Sequence, residues 1–284
     1  MAYDQSYSLF AKSVRVRKVA SVQMNVAFSN VSSNLQKVIR HLNNLAKHQV
    51  RLAVFPEAAL TGYCFDSLES ALSVAIDCSQ PGPLDELKAC CDFLDISAMV
   101  GFAEKSGSLL YNSVAFFEPG HPRRIYRKTH LPFLGMDRFA TPGDQLVVWD
   151  TAVARIGPLI CFDLRPPEPA RTLTLDGAEI IAVPTNWPEG AENSAEHVAI
   201  ARACENHVFV ITCNRVGTEN GFRFIGKSKI IHASGKVLAA AEAFEVVLIA
   251  EIDPSEADQK RVVNVPGAYE VEIVSCRRSN LYRL

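Results

Sequence analysis

The sequence predicts an α/β protein in which helices cover two buried sheets packed against each other, and three observations predict it. Apolar, β-branched runs of strand length recur along the whole chain. Segments with apolar residues at helical spacing separate several of the early runs. The composition, 48% hydrophobic, 21% charged and 8% aromatic over 284 residues, suits a globular chain that can bury one large core. So many strands call for two sheets, because each sheet must bury a face against another layer.

Residues 16–22 open the series of strands. The stretch 32–48 follows, with Leu35, Val38, Ile39, Leu42 and Leu45 on one helical face. Runs over 51–55 and 96–103 flank a second helix at 83–94, which begins on Pro83, a residue pre-set for the first helical turn. Strands are expected next at 113–117, 125–126, 153–160 and 179–183. A third helical pattern covers 191–206, and runs at 208–213, 228–232 and 246–252 complete the series. No Pro/Gly/Ser-rich linker, charge run or internal repeat divides the chain. We therefore read 15–284 as a single domain, preceded by an arm over 1–14 and closed by a less regular tail from about residue 262.

Charge and cysteine usage narrow the function. Lys plus Arg total 29 against 31 Asp plus Glu, a net charge of −2 with no basic stripe, so nucleic acid is not an expected partner. No apolar run approaches the roughly 18 residues that cross a bilayer, so no membrane partner is expected either. Residues 1–13 lack the charged and apolar regions of a secretory signal, which points to a cytoplasmic protein. The 8 cysteines then read as reduced thiols, and the histidines show no metal-ligand spacing. Gly221 to Ser228 satisfies the phosphate-loop pattern by letter, but Phe222, Phe224 and Ile225 are too bulky for a backbone cradle. A strand, not a helix, follows them.

Ligands of open α/β sheets bind outside the carboxyl ends of strands, so polar residues directly behind buried strands are the first candidates. Three stand out: Glu57 in VFPEAALTGY, Lys128 in YRKTHLPF and Cys161 in ICFDLRPPE. A charged residue there is costly to bury unpaired, and a turn that opens a helix can bind an oxyanion. A thiol nucleophile, a carboxylate that moves its proton and an ammonium that holds an oxyanion are the parts needed to cleave an amide through a thioester. The backbone N–H of Phe162 would assist Lys128. Asn186 and Trp187, at the end of the run 179–183, are candidate pocket residues, and Tyr63 is a further one.

These three segments, in this order, resemble the signatures of the nitrilase superfamily of carbon–nitrogen hydrolases. The resemblance extends through PTNWPEGAE and ARACENHVFVITCNRVG to GKSKIIHASGKVL, covering roughly 15–252. It implies a four-layer αββα sandwich of two mixed sheets, a catalytic Glu57, Lys128 and Cys161, a homodimer or dimer-based oligomer, and neither metal nor organic cofactor. Phe162-Asp163 after the cysteine resembles the amidase branches, where nitrile hydrolysers have Trp-Glu. The implied reaction is hydrolysis of a small linear carboxamide to carboxylate and ammonia, with a carbamoylase or a non-catalytic scaffold as alternatives. Two positions depart from the pattern. Met136 stands where many members carry a second glutamate, so either Asp137 substitutes at the substrate site or the role is absent. Pro166 stands where an aromatic residue is common.

Overall fold

The computed structural model describes residues 15–283, so the arm expected at 1–14 lies outside the described residues. Two mixed sheets form the centre. In the first, strands run in the order Val246–Ile252, Arg17–Gln23, Val50–Val54, Ser97–Ser106, Leu109–Phe117, Arg124–Arg127, with the short Ile76–Asp77 beside Ser97–Ser106. In the second the order is Val237–Ala240, Lys229–Ile231, Phe209–Cys213, Ile180–Pro184, Arg155–Pro158, Trp149–Asp150. Each sheet has a parallel middle and antiparallel edges.

Alternation along the strands explains the layers, since successive side chains of a strand point to opposite faces. Val19, Leu52, Val54, Met99, Val114 and Phe116 turn inward and meet Ile156, Ile180, Ala182, Phe209, Ile211 and Ile230 of the second sheet. Their neighbours Ala20, Ala53, Phe55, Ala98, Val100, Ala115 and Phe117 turn outward. They pack under Leu35, Val38 and Leu42 of helix Val31–Lys47 and Leu84, Leu87 and Cys91 of helix Pro83–Leu94. On the far side Ile181, Val183 and Val210 bury Leu173 of helix Pro167–Leu175 and Ala199 and Ala203 of helix Ala199–Asn206. The result is the αββα sandwich.

The expected helix at 191–206 forms from residue 192, with a π turn, Ser194–Val198, near its start. A helix at Leu68–Val74, capped by Ser67, was not anticipated. The phosphate-loop look-alike forms a hairpin, Val216–Glu219 with Phe222–Ile225, as its bulky residues require. The tail is more regular than its sequence suggests: Arg261–Val265 pairs with Tyr269–Glu272 in a separate exposed hairpin. All 8 cysteines are free thiols, and no helix among the described residues is long and apolar enough to cross a membrane.

Candidate active site

The parallel arrangement gathers the candidate residues at one end. Glu57 follows strand Val50–Val54, Cys161 follows Arg155–Pro158 and Asn186 follows Ile180–Pro184. Lys128 follows Arg124–Arg127, which is antiparallel to Leu109–Phe117, itself antiparallel to Ser97–Ser106. Two reversals give Arg124–Arg127 the direction of Val50–Val54, so both strands deliver their next residues to the same edge.

Glu57 is held tightly by backbone shape. It lies between Pro56 and Ala58, whose φ is +50°, and strand residue Gly101 passes directly beneath. A Cβ on Gly101 would fall 2.4 Å from the Ala58 nitrogen and 2.7 Å from the Glu57 Cα. Only glycine permits that approach. Cys161 also has a positive φ, +48°, and begins the 3₁₀ turn Cys161–Leu164. Positive φ is uncommon for a residue other than glycine and concentrates where a side chain must be presented. Asp163 fixes that turn by accepting hydrogen bonds from Ile160 N (3.1 Å), His130 N (2.8 Å) and the Tyr126 hydroxyl (2.8 Å).

Behind the cysteine lies a fully buried polar network. Lys128 Nζ donates to Glu57 Oε1 at 2.8 Å and to Asp137 Oδ2 at 2.6 Å. Asn112 Nδ2 bridges the same two carboxylates, at 2.7 Å to Glu57 Oε1 and 2.8 Å to Asp137 Oδ1. The Tyr63 hydroxyl donates to Asp137 Oδ2 at 2.8 Å. Glu57 Oε2 has no hydrogen-bond partner. One carboxylate oxygen is thus anchored and the other left available.

Electrostatics sort the protons. Burial pushes the Glu57 carboxyl up; the Lys128 ammonium opposes this and the Asp137 charge adds to it. Burial works against the Lys128 ammonium, yet Asp137 and Glu57 together hold its pKa well above the ordinary lysine range. The Cys161 thiol is raised well above its usual value by burial and by the Glu57 charge, against the pull of Lys128 and of the Asn186 backbone N–H. At neutral pH the cysteine therefore rests as a thiol and needs a base to act.

A cavity of about 320 Å³ opens over Cys161. Tyr63, Leu134, Phe162, Arg165, Asn186 and Trp187 are among its walls, so the expected pocket residues Tyr63, Asn186 and Trp187 meet there, beside the expected oxyanion donor Phe162. Asp137 does not join them. It was expected at the substrate, but it is spent on Lys128, Asn112 and Tyr63, behind the cavity wall. Glu57 and Lys128 likewise sit beneath that wall rather than in it.

Sequence reasoning missed Asn112 and the buried pair Arg215 and Glu219. Asn112 had a visible signal, a carboxamide inside the apolar strand Leu109–Phe117. Arg215 is paired with Glu219, whose Oε1 accepts from the Tyr63 backbone N–H at 2.8 Å, so a distant hairpin steadies the segment behind Glu57.

Fold and site define a class, enzymes that break carbon–nitrogen bonds by hydrolysis. The chain belongs to the carbon–nitrogen hydrolase family, whose model matches residues 18–262, within the nitrilase superfamily. It is 37% identical over 247 residues to a nitrilase of Pyrococcus abyssi, covering 86% of this chain and 93% of that one. A 2-oxoglutaramate amidase of Bacillus subtilis is 29% identical over 247 residues, covering 86% and 93%. Among solved structures, Nit3 of Saccharomyces cerevisiae, a member of branch 10 of the superfamily, superposes with a TM-score of 0.79 at 24% identity. That match covers 88% of this chain and 94% of that one.

Proposed function

We propose that the protein is an amidohydrolase that converts a small linear carboxamide to carboxylate and ammonia through a thioester on Cys161. The observation that carries this reading is the buried Lys128 bonded to both Glu57 and Asp137, directly behind a thiol that faces a cavity. In the first half-reaction Glu57 takes the thiol proton while sulfur attacks the carbonyl carbon. Lys128 and the Phe162 N–H, at a helix start where such groups lack an internal acceptor, hold the oxyanion. Collapse breaks the C–N bond, and Glu57 returns its proton to the departing nitrogen, leaving ammonia and the thioester. Water then attacks that thioester, giving a proton to Glu57. The second collapse expels the Cys161 thiolate, which recovers the proton and frees the acid.

The cavity volume lies at the small end of the range for small-molecule sites. Arg165 lines it, and among the described residues no carboxylate pairs with its guanidinium, which favours an amide whose far end is anionic. The B. subtilis relative's name agrees with that chemistry. A dimer in solution and reaction without added metal or organic cofactor belong to the same reading. The test is ammonia release from short amides, ω-amides of dicarboxylic acids, carbamoyl amino acids and nitriles, by wild type and Cys161→Ala. We expect the best rate on an ω-amide and a loss on the order of 10³-fold or more in the variant. Carbon dioxide appearing with the ammonia would instead indicate a carbamoylase.

A further inference from the structure

We infer that the Asn186 side chain reads the scissile carboxamide itself, pairing with its carbonyl oxygen and with the N–H on the same side. This rests on the amidohydrolase reading above. Asn186 is 1% exposed, yet neither Nδ2 nor Oδ1 has a hydrogen-bond partner. Buried side-chain amides are nearly always satisfied, and leaving both ends unmet is costly. Exchanging nitrogen and oxygen changes nothing, since both atoms lack partners.

The location gives this deficit a meaning. Asn186 lies on the wall of the cavity over Cys161, and its own backbone N–H faces the Cys161 sulfur. Its chain is fixed on both sides: the Thr185 N–H donates to Cys213 O at 2.8 Å, and the Trp187 N–H donates to Asn214 Oδ1 at 2.8 Å. The segment is anchored while the carboxamide remains unspent. A carboxamide is the exact complement of another: the donor of each meets the acceptor of the other in a two-bond ring. An unsubstituted amide offers an N–H beside its carbonyl oxygen. A secondary amide in its ordinary trans form puts its alkyl group there, and an ester has no N–H at all. Asn186 is accordingly a substrate-contacting residue that selects primary amides. Sites that hydrogen-bond a substrate N–H reject analogues lacking it strongly.

The test uses the full chain and one acyl group presented as primary amide, N-methyl amide and methyl ester. Wild type is expected to favour the primary amide over the N-methyl amide by at least about a hundredfold in kcat/KM. Asn186→Ala should lose about tenfold to a hundredfold on the primary amide and a several-fold smaller factor on the ester, which keeps only the bond to the carbonyl oxygen. Parallel losses on amide and ester, or an N-methyl amide cleaved within about threefold of the primary one, would overturn the inference. If Asn186→Ala does not fold, Asn186→Ser and the wild-type comparison decide the matter. Wild type that cleaves the ester through Cys161 but no amide would instead defeat the amidohydrolase reading.

Discussion

Asn112 and Asp137 act on Glu57 in opposite directions. The Asn112 hydrogen bond lowers the pKa of Glu57, whereas the Asp137 charge raises it. In the proposed mechanism Glu57 must be ionised to take the thiol proton, so the acid limb of kcat/KM follows its pKa, which burial places above the ordinary value of 4.5. Activity therefore falls as pH drops through that raised value. Asn112→Leu removes a donor to the carboxylate and should move the limb to higher pH. Asp137→Asn removes a neighbouring negative charge and should move it lower. A pH–rate profile of the two variants checks both signs, and shifts in the same direction would contradict the assignment. Lys128→Met leaves two carboxylates buried without their cation, which should cost about 3–5 kcal/mol of stability in denaturant unfolding. At this scale Glu57, Lys128 and Cys161 could be picked out because polar groups behind apolar strands are conspicuous. Asp137 could be found but not placed: its partners Tyr63, Asn112 and Lys128 come from three separate segments, and only the fold joins them.

Among the elements, the turns carry the precision of the site. Gly101 lets strand Ser97–Ser106 pass under Glu57, and the atoms that an added Cβ would meet there are backbone, which cannot swing aside. Gly101→Ala should cost about 1–3 kcal/mol by overpacking, and it should lower kcat more than KM because it displaces the base rather than the cavity wall. Steady-state kinetics beside thermal unfolding measures both. Most strands and the helices Val31–Lys47 and Pro83–Leu94 were legible from period alone, since alternating or 3.6-residue patterns are what a half-buried element must show. The π turn Ser194–Val198 and the exposed hairpin Arg261–Val265 with Tyr269–Glu272 were not. The hairpin has no buried face of its own to impose a pattern, and we have no physical account of the π turn.

For the whole molecule, the decisive fact is that the site is divided between the sheets. Glu57 and Lys128 hang from the first sheet and Cys161 and Asn186 from the second, so the inter-sheet layer sets the distance between the proposed base and the proposed nucleophile. Leu52 is fully buried in that layer, and Leu52→Ala should destabilise by about 2–5 kcal/mol. The resemblance in sequence pointed to this sandwich, whereas periodicity alone reached only two packed sheets; register and direction depend on long-range pairing that no local pattern encodes. The central proposal is that Cys161 carries the acyl group. The direct measurement is mass spectrometry of acid-quenched protein during turnover of a good amide, followed by peptide mapping. The substrate's acyl mass is expected on the peptide that contains Cys161, and it should disappear in Cys161→Ala. An acyl adduct on a different residue, or turnover retained by Cys161→Ala, would contradict it.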